Sequence, residues 1–153
     1  MLYPLNRHQV IALGGVQPLF SLVVNGGRAG IVEDASAVIA QIAGCEESVD
    51  EFEKCCGIEV LVDLLDLGTG SGHRVKENAV SALLNLVNFG GERAAEEVKE
   101  MAMQVADGIA DVAQNGSAKG KTKAVALLKM LVDDGNMVRD SFFASLLDQS
   151  QSL

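Results

Sequence analysis

Apolar residues recur along the chain at helical spacing, in runs separated by glycine-bearing breaks. Ala82-Leu83-Leu84-Asn85-Leu86-Val87 is an apolar run with a single polar residue. The pattern returns 44 positions later as Ala126-Leu127-Leu128-Lys129-Met130-Leu131 and stands 44 positions earlier as Val38-Ile39-Ala40-Gln41-Ile42-Ala43. Upstream of each lies a second apolar set: Val16, Phe20 and Val23, then Ile58, Val62 and Leu65, then Val105, Ile109 and Val112. Residues spaced i, i+4 and i+7 share one face of an α-helix. A glycine follows each set within a few residues, at Gly26, Gly68 and Gly116, where a helix is expected to stop. These sets lie 42 and then 47 residues apart, so the loops differ in length while the later helices keep one register. A third, shorter helical stretch precedes each set, at Asn6 to Leu13, Ser48 to Cys55 and Glu92 to Met103.

A helix-helix-helix unit with this period predicts an all-α solenoid, in which a unit buries its apolar face only by stacking on its neighbours. The units fall at about residues 5–44, 45–90 and 91–135, one domain in all. Beyond them, Phe142, Phe143, Leu146 and Leu147 pair one turn apart, and residues 136–153 are expected to form a capping helix with a frayed tail.

Two stretches carry a family resemblance. Gly57-Ile58-Glu59-Val60-Leu61-Val62-Asp63-Leu64-Leu65, followed by Val75-Lys76-Glu77-Asn78-Ala79-Val80-Ser81-Ala82-Leu83-Leu84-Asn85-Leu86, resembles one complete armadillo repeat. Asn115-Gly116-Ser117-Ala118-Lys119-Gly120-Lys121-Thr122-Lys123-Ala124, running into Leu127-Leu128-Lys129, is similar to the last repeat of plant U-box armadillo proteins. The resemblance covers residues 5–135 and implies a right-handed α-solenoid of about three armadillo repeats, each a short helix plus two longer ones. Those relatives are ubiquitin ligases, in which the U-box recruits the ubiquitin-charged enzyme and the armadillo array holds a substrate or regulator. No U-box stands in these residues. The resemblance therefore implies a protein-protein interaction module without enzyme activity of its own. The second reading is a stand-alone armadillo scaffold that self-associates, with no ubiquitination role.

Composition narrows the classes further. With no Trp, one Tyr and five Phe, the core must be built from Leu, Val, Ile and Ala, which suits close-packed helices. A net charge of −9 opposes general binding to a phosphate backbone, so nucleic acid is not an expected partner. The apolar stretch from Val10 to Val24 is interrupted by Gly14, Gly15, Gln17 and Pro18 and is shorter than a membrane span, and it lacks the order of a signal peptide. Cys45, Cys55 and Cys56 are odd in number with two adjacent, a poor disulfide framework; they are expected to be small buried thiols of a cytoplasmic or nuclear protein.

Candidate chemistry is sparse. Asn115 to Thr122 reads NGSAKGKT, near the phosphate-cradling G-x-x-x-x-G-K-[ST], but Asn115 replaces the first glycine and a helix, not a strand, is expected before it. Gly68-Thr69-Gly70-Ser71-Gly72 has no strand before it either and is expected to be a flexible turn. His8 and His73 have no Cys or carboxylate at ligand spacing, so neither a metal site nor a cofactor is expected. Glu46, Glu47, Asp50, Glu51 and Glu53 crowd a stretch expected to be solvated.

Binding is therefore expected on the third helices, which in the resembled family line the concave face. Their polar row is Gln41, Asn85 and Lys129, with Ser81 one turn before Asn85. In the family that asparagine bonds the backbone of an extended peptide, a task suited to an amide that both donates and accepts. The alternative for Asn85 is a structural amide. Ser81 stands where peptide-binding armadillo proteins often carry Trp, so an importin-like grip is not expected. A second candidate is a basic edge of Arg74, Lys76, Lys119, Lys121 and Lys123 near two helix starts, suited to an acidic or phosphorylated partner segment.

Overall fold

In the computed structural model residues 4–133 are described, and every regular element among them is helical. Helices α1 (Pro4–Ala12), α2 (Val16–Asn25) and α3 (Ala29–Ile42) come first. A 3₁₀ turn at Glu46–Ser48 leads into α4 (Val49–Lys54) and α5 (Gly57–Leu65), and a second 3₁₀ turn at Leu67–Thr69 precedes α6 (His73–Phe89). Then follow α7 (Glu92–Glu100), α8 (Ala102–Asn115) and α9 (Ala118–Asp133). The stretch expected as one helix from Glu92 to Met103 breaks at Met101, whose backbone (φ −95, ψ 8) leaves the helical region. The capping helix expected at Phe142, Phe143, Leu146 and Leu147 lies outside the described residues.

The helices stack as an α-solenoid. The long helices α3, α6 and α9 pack side by side in chain order, and α2, α5 and α8 form a second layer behind them. Positions one register apart do the same work: Ile39, Leu83 and Leu127 are all buried, as are Ser36, Val80 and Ala124. The second layer contributes Val16, Phe20 and Val23, Ile58, Val62 and Leu65, and Val105, Ile109 and Val112, every one buried. Each such apolar side chain removed from water contributes about 1.5–3 kcal/mol before entropy is counted.

Two glycines let neighbouring helices of the second layer approach. Gly108 of α8 lies against the end of α5, so near that a Cβ there would stand 2.8 Å from both the carbonyl carbon and the Cβ of Leu65. Gly57, the first residue of α5, lies under the Phe20 ring, where a Cβ would be 2.7 Å from Phe20 Cζ. Phe20 in turn meets Phe52 of α4 edge-to-face, with ring centroids 5.1 Å apart at 88°. That geometry aligns the positive ring edge with the negative face and ties the short helix to the second layer.

Candidate partner-binding cleft

A cavity of about 320 Å³ opens across the first halves of the three long helices. It is lined by Glu33, Asp34 and Ala37 of α3, by Arg74, Glu77, Asn78 and Ser81 of α6, and by Ser117, Lys119, Gly120 and Lys123 at the start of α9. Helical geometry explains the grouping: Arg74, Asn78 and Ser81 are four and three residues apart and share one face.

Its polar groups are bonded across the stack. Glu77 Oε1 accepts the Ser117 backbone N–H at 3.1 Å and also the Ser117 hydroxyl. Ser117 Oγ accepts the Gly120 N–H at 3.1 Å, the side-chain cap of α9. The Glu77 carboxylate thus sits at a helix start, where the dipole favours negative charge. Gly120 leaves the space for it, since a Cβ there would lie 2.6 Å from Glu77 Cδ. Lys123 Nζ donates to Ser81 Oγ at 3.0 Å. Burial, and then the neighbouring Lys119 charge, hold the Lys123 ammonium below the usual lysine pKa, with Glu77 opposing them.

The polar row of the long helices rivets one helix to the previous one. Asn78 Nδ2 donates to the Glu33 carbonyl at 3.2 Å and to the buried Ser36 hydroxyl at 3.0 Å. Asn85 Nδ2 donates to the Ala40 carbonyl at 2.9 Å, so one amide N–H of the sequence's leading candidate is committed to the fold. These bonds span 45, 42 and 45 residues and the Lys123–Ser81 bond spans 42, close to the 44-residue register of the apolar pattern. Ser81 and Lys123 therefore meet inside the cleft. Gln41 and Asn85 lie beyond it, at the far end of the same helices, where Arg7 Nη1 donates to the Gln41 carbonyl at 3.1 Å. Lys129 is exposed on α9.

The basic edge does not hold together as the sequence suggested. Arg74, Lys119 and Lys123 line the cleft, whereas Lys121 is half-buried outside it. Lys76 is only 8% exposed and points to the other layer, its Nζ 3.4 Å from Asp111 Oδ2 of α8. Two steps along a helix rotate a side chain by about 200°, so Arg74 and Lys76 cannot share a face. The cleft also carries carboxylates that sequence reasoning passed over, Glu33, Asp34 and Glu77. Three cations thus face three anions, and the cleft has no net field to attract a polyanion. The missed residues had a signal, since one register separates Glu33 from Glu77 and places both beside Ser81 or its counterpart Ala37.

The histidines and cysteines depart from expectation in part. His8 does not stand apart: its Nδ1 contacts Glu47 Oε1, and Cys45 lies in the same cluster, because α1 folds back on the corner after α3. Of the cysteines expected to be buried, Cys45 is, Cys55 is half-buried and Cys56 is exposed, its left-handed backbone (φ 52) turning α4 into α5. Glu46, Glu47, Asp50 and Glu53 are exposed, as expected, and Arg93 of α7 bridges the last two, with Nε 2.7 Å from Glu53 Oε1. The NGSAKGKT segment spans the end of α8, a short link and the first turns of α9, with a helix where a phosphate loop needs a strand. At Gly68 to Gly72, Asp66 Oδ1 accepts the Gly68 N–H at 2.8 Å and Gly70 takes φ 73, a turn built by side-chain capping and glycine. Among the described residues no helix is long and apolar enough to cross a membrane.

An all-α solenoid with a polar cleft on its layer of long helices belongs to a class of folds that present extended surfaces. Over 127 residues, 82% of its length, the chain is 32% identical to U-box domain-containing protein 1 of Medicago truncatula and 28% identical to U-box domain-containing protein 18 of Arabidopsis thaliana. It spans 18% of the length of each, and is related to a segment of plant U-box domain-containing proteins. No protein family model and no solved structure matches the chain.

Proposed function

We propose that the chain is an armadillo-type interaction module that recruits a substrate or regulator to a plant U-box ubiquitin ligase system, and that it performs no catalysis itself. The observation carrying this is the relationship to U-box domain-containing proteins across 82% of the chain. The cleft is its receiving surface. A partner segment lays an acidic or phosphorylated side chain between Arg74 and Lys119 and a basic one against Glu33 and Asp34, matching the balanced charges there. Beyond the cleft, Asn85 and Gln41 continue the row along which the segment runs. Cytoplasm or nucleus is the compartment that fits, and a fluorescent fusion checks it.

The test is a reconstituted ubiquitination reaction. The chain alone is expected to leave a ubiquitin-loaded conjugating enzyme charged, while the chain joined to a relative's U-box transfers ubiquitin to the bound protein. Carrying Arg74→Glu and Lys119→Glu, the same fusion is expected to lose that transfer. Equal transfer by the fusion with and without those changes would overturn the proposal.

Self-association is a second reading with its own observation. Leu13, in the turn between α1 and α2, is 86% exposed, and Leu22 and Val24 of α2 and Ile31 of α3 are exposed as well. Large exposed apolar side chains are candidate contact points between copies. Sedimentation over a range of concentrations separates a monomer from a dimer, and the dimer is expected to dissociate on Leu13→Asp with Val24→Asp.

A further inference from the structure

We infer that His8, Cys45 and Glu47 form a binding site for a divalent zinc-class ion, a clip that fastens α1 to the corner between α3 and α4. The donors come from two elements 37 residues apart in sequence, which is why the chain's local spacing hides them. One ligand atom from each, the imidazole nitrogen, the thiol sulfur and a carboxylate oxygen, lie within 4.8 Å of one another. A tetrahedral zinc ion with bonds of roughly 2.0–2.3 Å holds its ligand atoms about 3.3–3.8 Å apart. His8 and Glu47, which touch each other directly, are both exposed, and rotamer shifts of these two side chains set the three donors at that spacing.

The frame around the donors is fixed. Cys45 takes an extended backbone (φ −103, ψ 122) before the 3₁₀ turn, its carbonyl accepting both the Ser48 N–H at 3.0 Å and the Ser48 hydroxyl at 2.7 Å. The Cys45 N–H bonds the Ile42 carbonyl at 2.9 Å, tying the turn to the end of α3. On the other side, the Arg7 bond to the Gln41 carbonyl seats α1 one residue from His8. Buried Cys45 is the floor of the site, and exposed His8 and Glu47 leave an open side for the ion to enter and for water as fourth ligand.

Charge and softness fit the same ion. One thiolate, one carboxylate and one neutral imidazole balance a dication, and the mixture of sulfur, nitrogen and oxygen donors suits zinc rather than magnesium or calcium. Binding replaces the Cys45 S–H proton, which passes to solvent, by a metal–sulfur bond with no change of oxidation state. The clip lies beside Gln41, so the bound ion holds the first helix against the start of the polar row.

The full chain, reduced and freed of metal, is titrated with cobalt(II) as a spectroscopic probe and then with zinc against a chromophoric chelator. One ion per chain is expected, with a thiolate-to-cobalt charge-transfer band in the near ultraviolet and a rise in melting temperature on adding zinc. His8→Ala and Cys45→Ser are each expected to weaken zinc binding by roughly 100-fold and Glu47→Gln by roughly tenfold, while Cys55→Ser with Cys56→Ser changes nothing. His8→Ala and Glu47→Gln alter exposed side chains, so they report on the site even if Cys45→Ser disturbs folding. A missing charge-transfer band, a band lost with Cys55 and Cys56 instead of Cys45, or unchanged affinity in the His8 variant each overturns the inference and leaves a plain His8–Glu47 contact.

Discussion

Gly108→Ala is expected to destabilise the chain, against the helix propensity of the change. In an open helix, glycine to alanine gains up to about 1 kcal/mol, because alanine loses less backbone entropy on folding. Gly108, inside α8, has no open space: the new Cβ would stand 2.8 Å from two atoms of Leu65 and nearer still to its carbonyl oxygen. The opposing group is largely backbone at the end of α5, which cannot rotate away, so the two helices must separate. Overpacking of this kind costs about 1–3 kcal/mol, and more where several contacts shift together. The net expectation is a loss of about 1–2 kcal/mol. Gly30→Ala in α3 is the control, since nothing lies within 4 Å of its Cβ position, and it is expected to be neutral or to stabilise by up to about 1 kcal/mol. Urea unfolding followed by circular dichroism gives both as midpoint shifts at constant slope. A Gly108→Ala protein as stable as the parent would refute the close approach of α5 and α8 within the second layer.

Further expectations follow from single contacts. Phe52→Ala removes a buried ring and its edge-to-face partner, and calorimetry is expected to show a loss of about 3–5 kcal/mol. Asn85→Ala breaks the bond to Ala40 and is expected to cost about 1 kcal/mol in urea unfolding whether or not a partner is present. Lys76→Gln, lying in the other layer, is expected to leave partner affinity unchanged where Lys119→Glu reduces it and its salt dependence, both readable by calorimetric titration. Burial, then Glu53, Glu59 and Glu100, raise the pKa of Glu97, with Arg93 opposing. The folded chain therefore holds that proton more tightly than the unfolded one, and the stability it confers is full below the unfolded value of about 4.3 and lost as pH rises through the folded value. Glu97→Gln is expected to remove this fall and to raise stability at neutral pH by a few tenths of a kcal/mol, as unfolding measured across the acid range will show.

The solenoid was legible because its core is periodic. Ile39, Leu83 and Leu127 announce one register in the bare sequence, and the fold buries all of them at equivalent places. The cleft was legible only in part. Ser81 and Lys123 carry a pattern the sequence shows, but whether Lys76 joins Arg74 depends on helical phase, and two residues of separation put it in the other layer. Glu77 could not be singled out by type, as one glutamate among many; its place comes from Gly120 and Ser117, which are 40 or more residues away. The same holds for His8 and Cys45, whose nearness is a product of α1 folding back and not of spacing along the chain.

The most direct test of the central claim is quantitative affinity capture with three forms of the chain: the parent, Arg74→Glu with Lys119→Glu in the cleft, and Asp63→Lys with Asp107→Lys on the exposed surface of α5 and α8. Proteins held by the parent are expected to fall at least about tenfold with the cleft form, a change of roughly 1.4 kcal/mol in binding, and to stay with the α5–α8 form. Retention by the cleft form, or loss with the α5–α8 form instead, would contradict the assignment of binding to the long-helix layer.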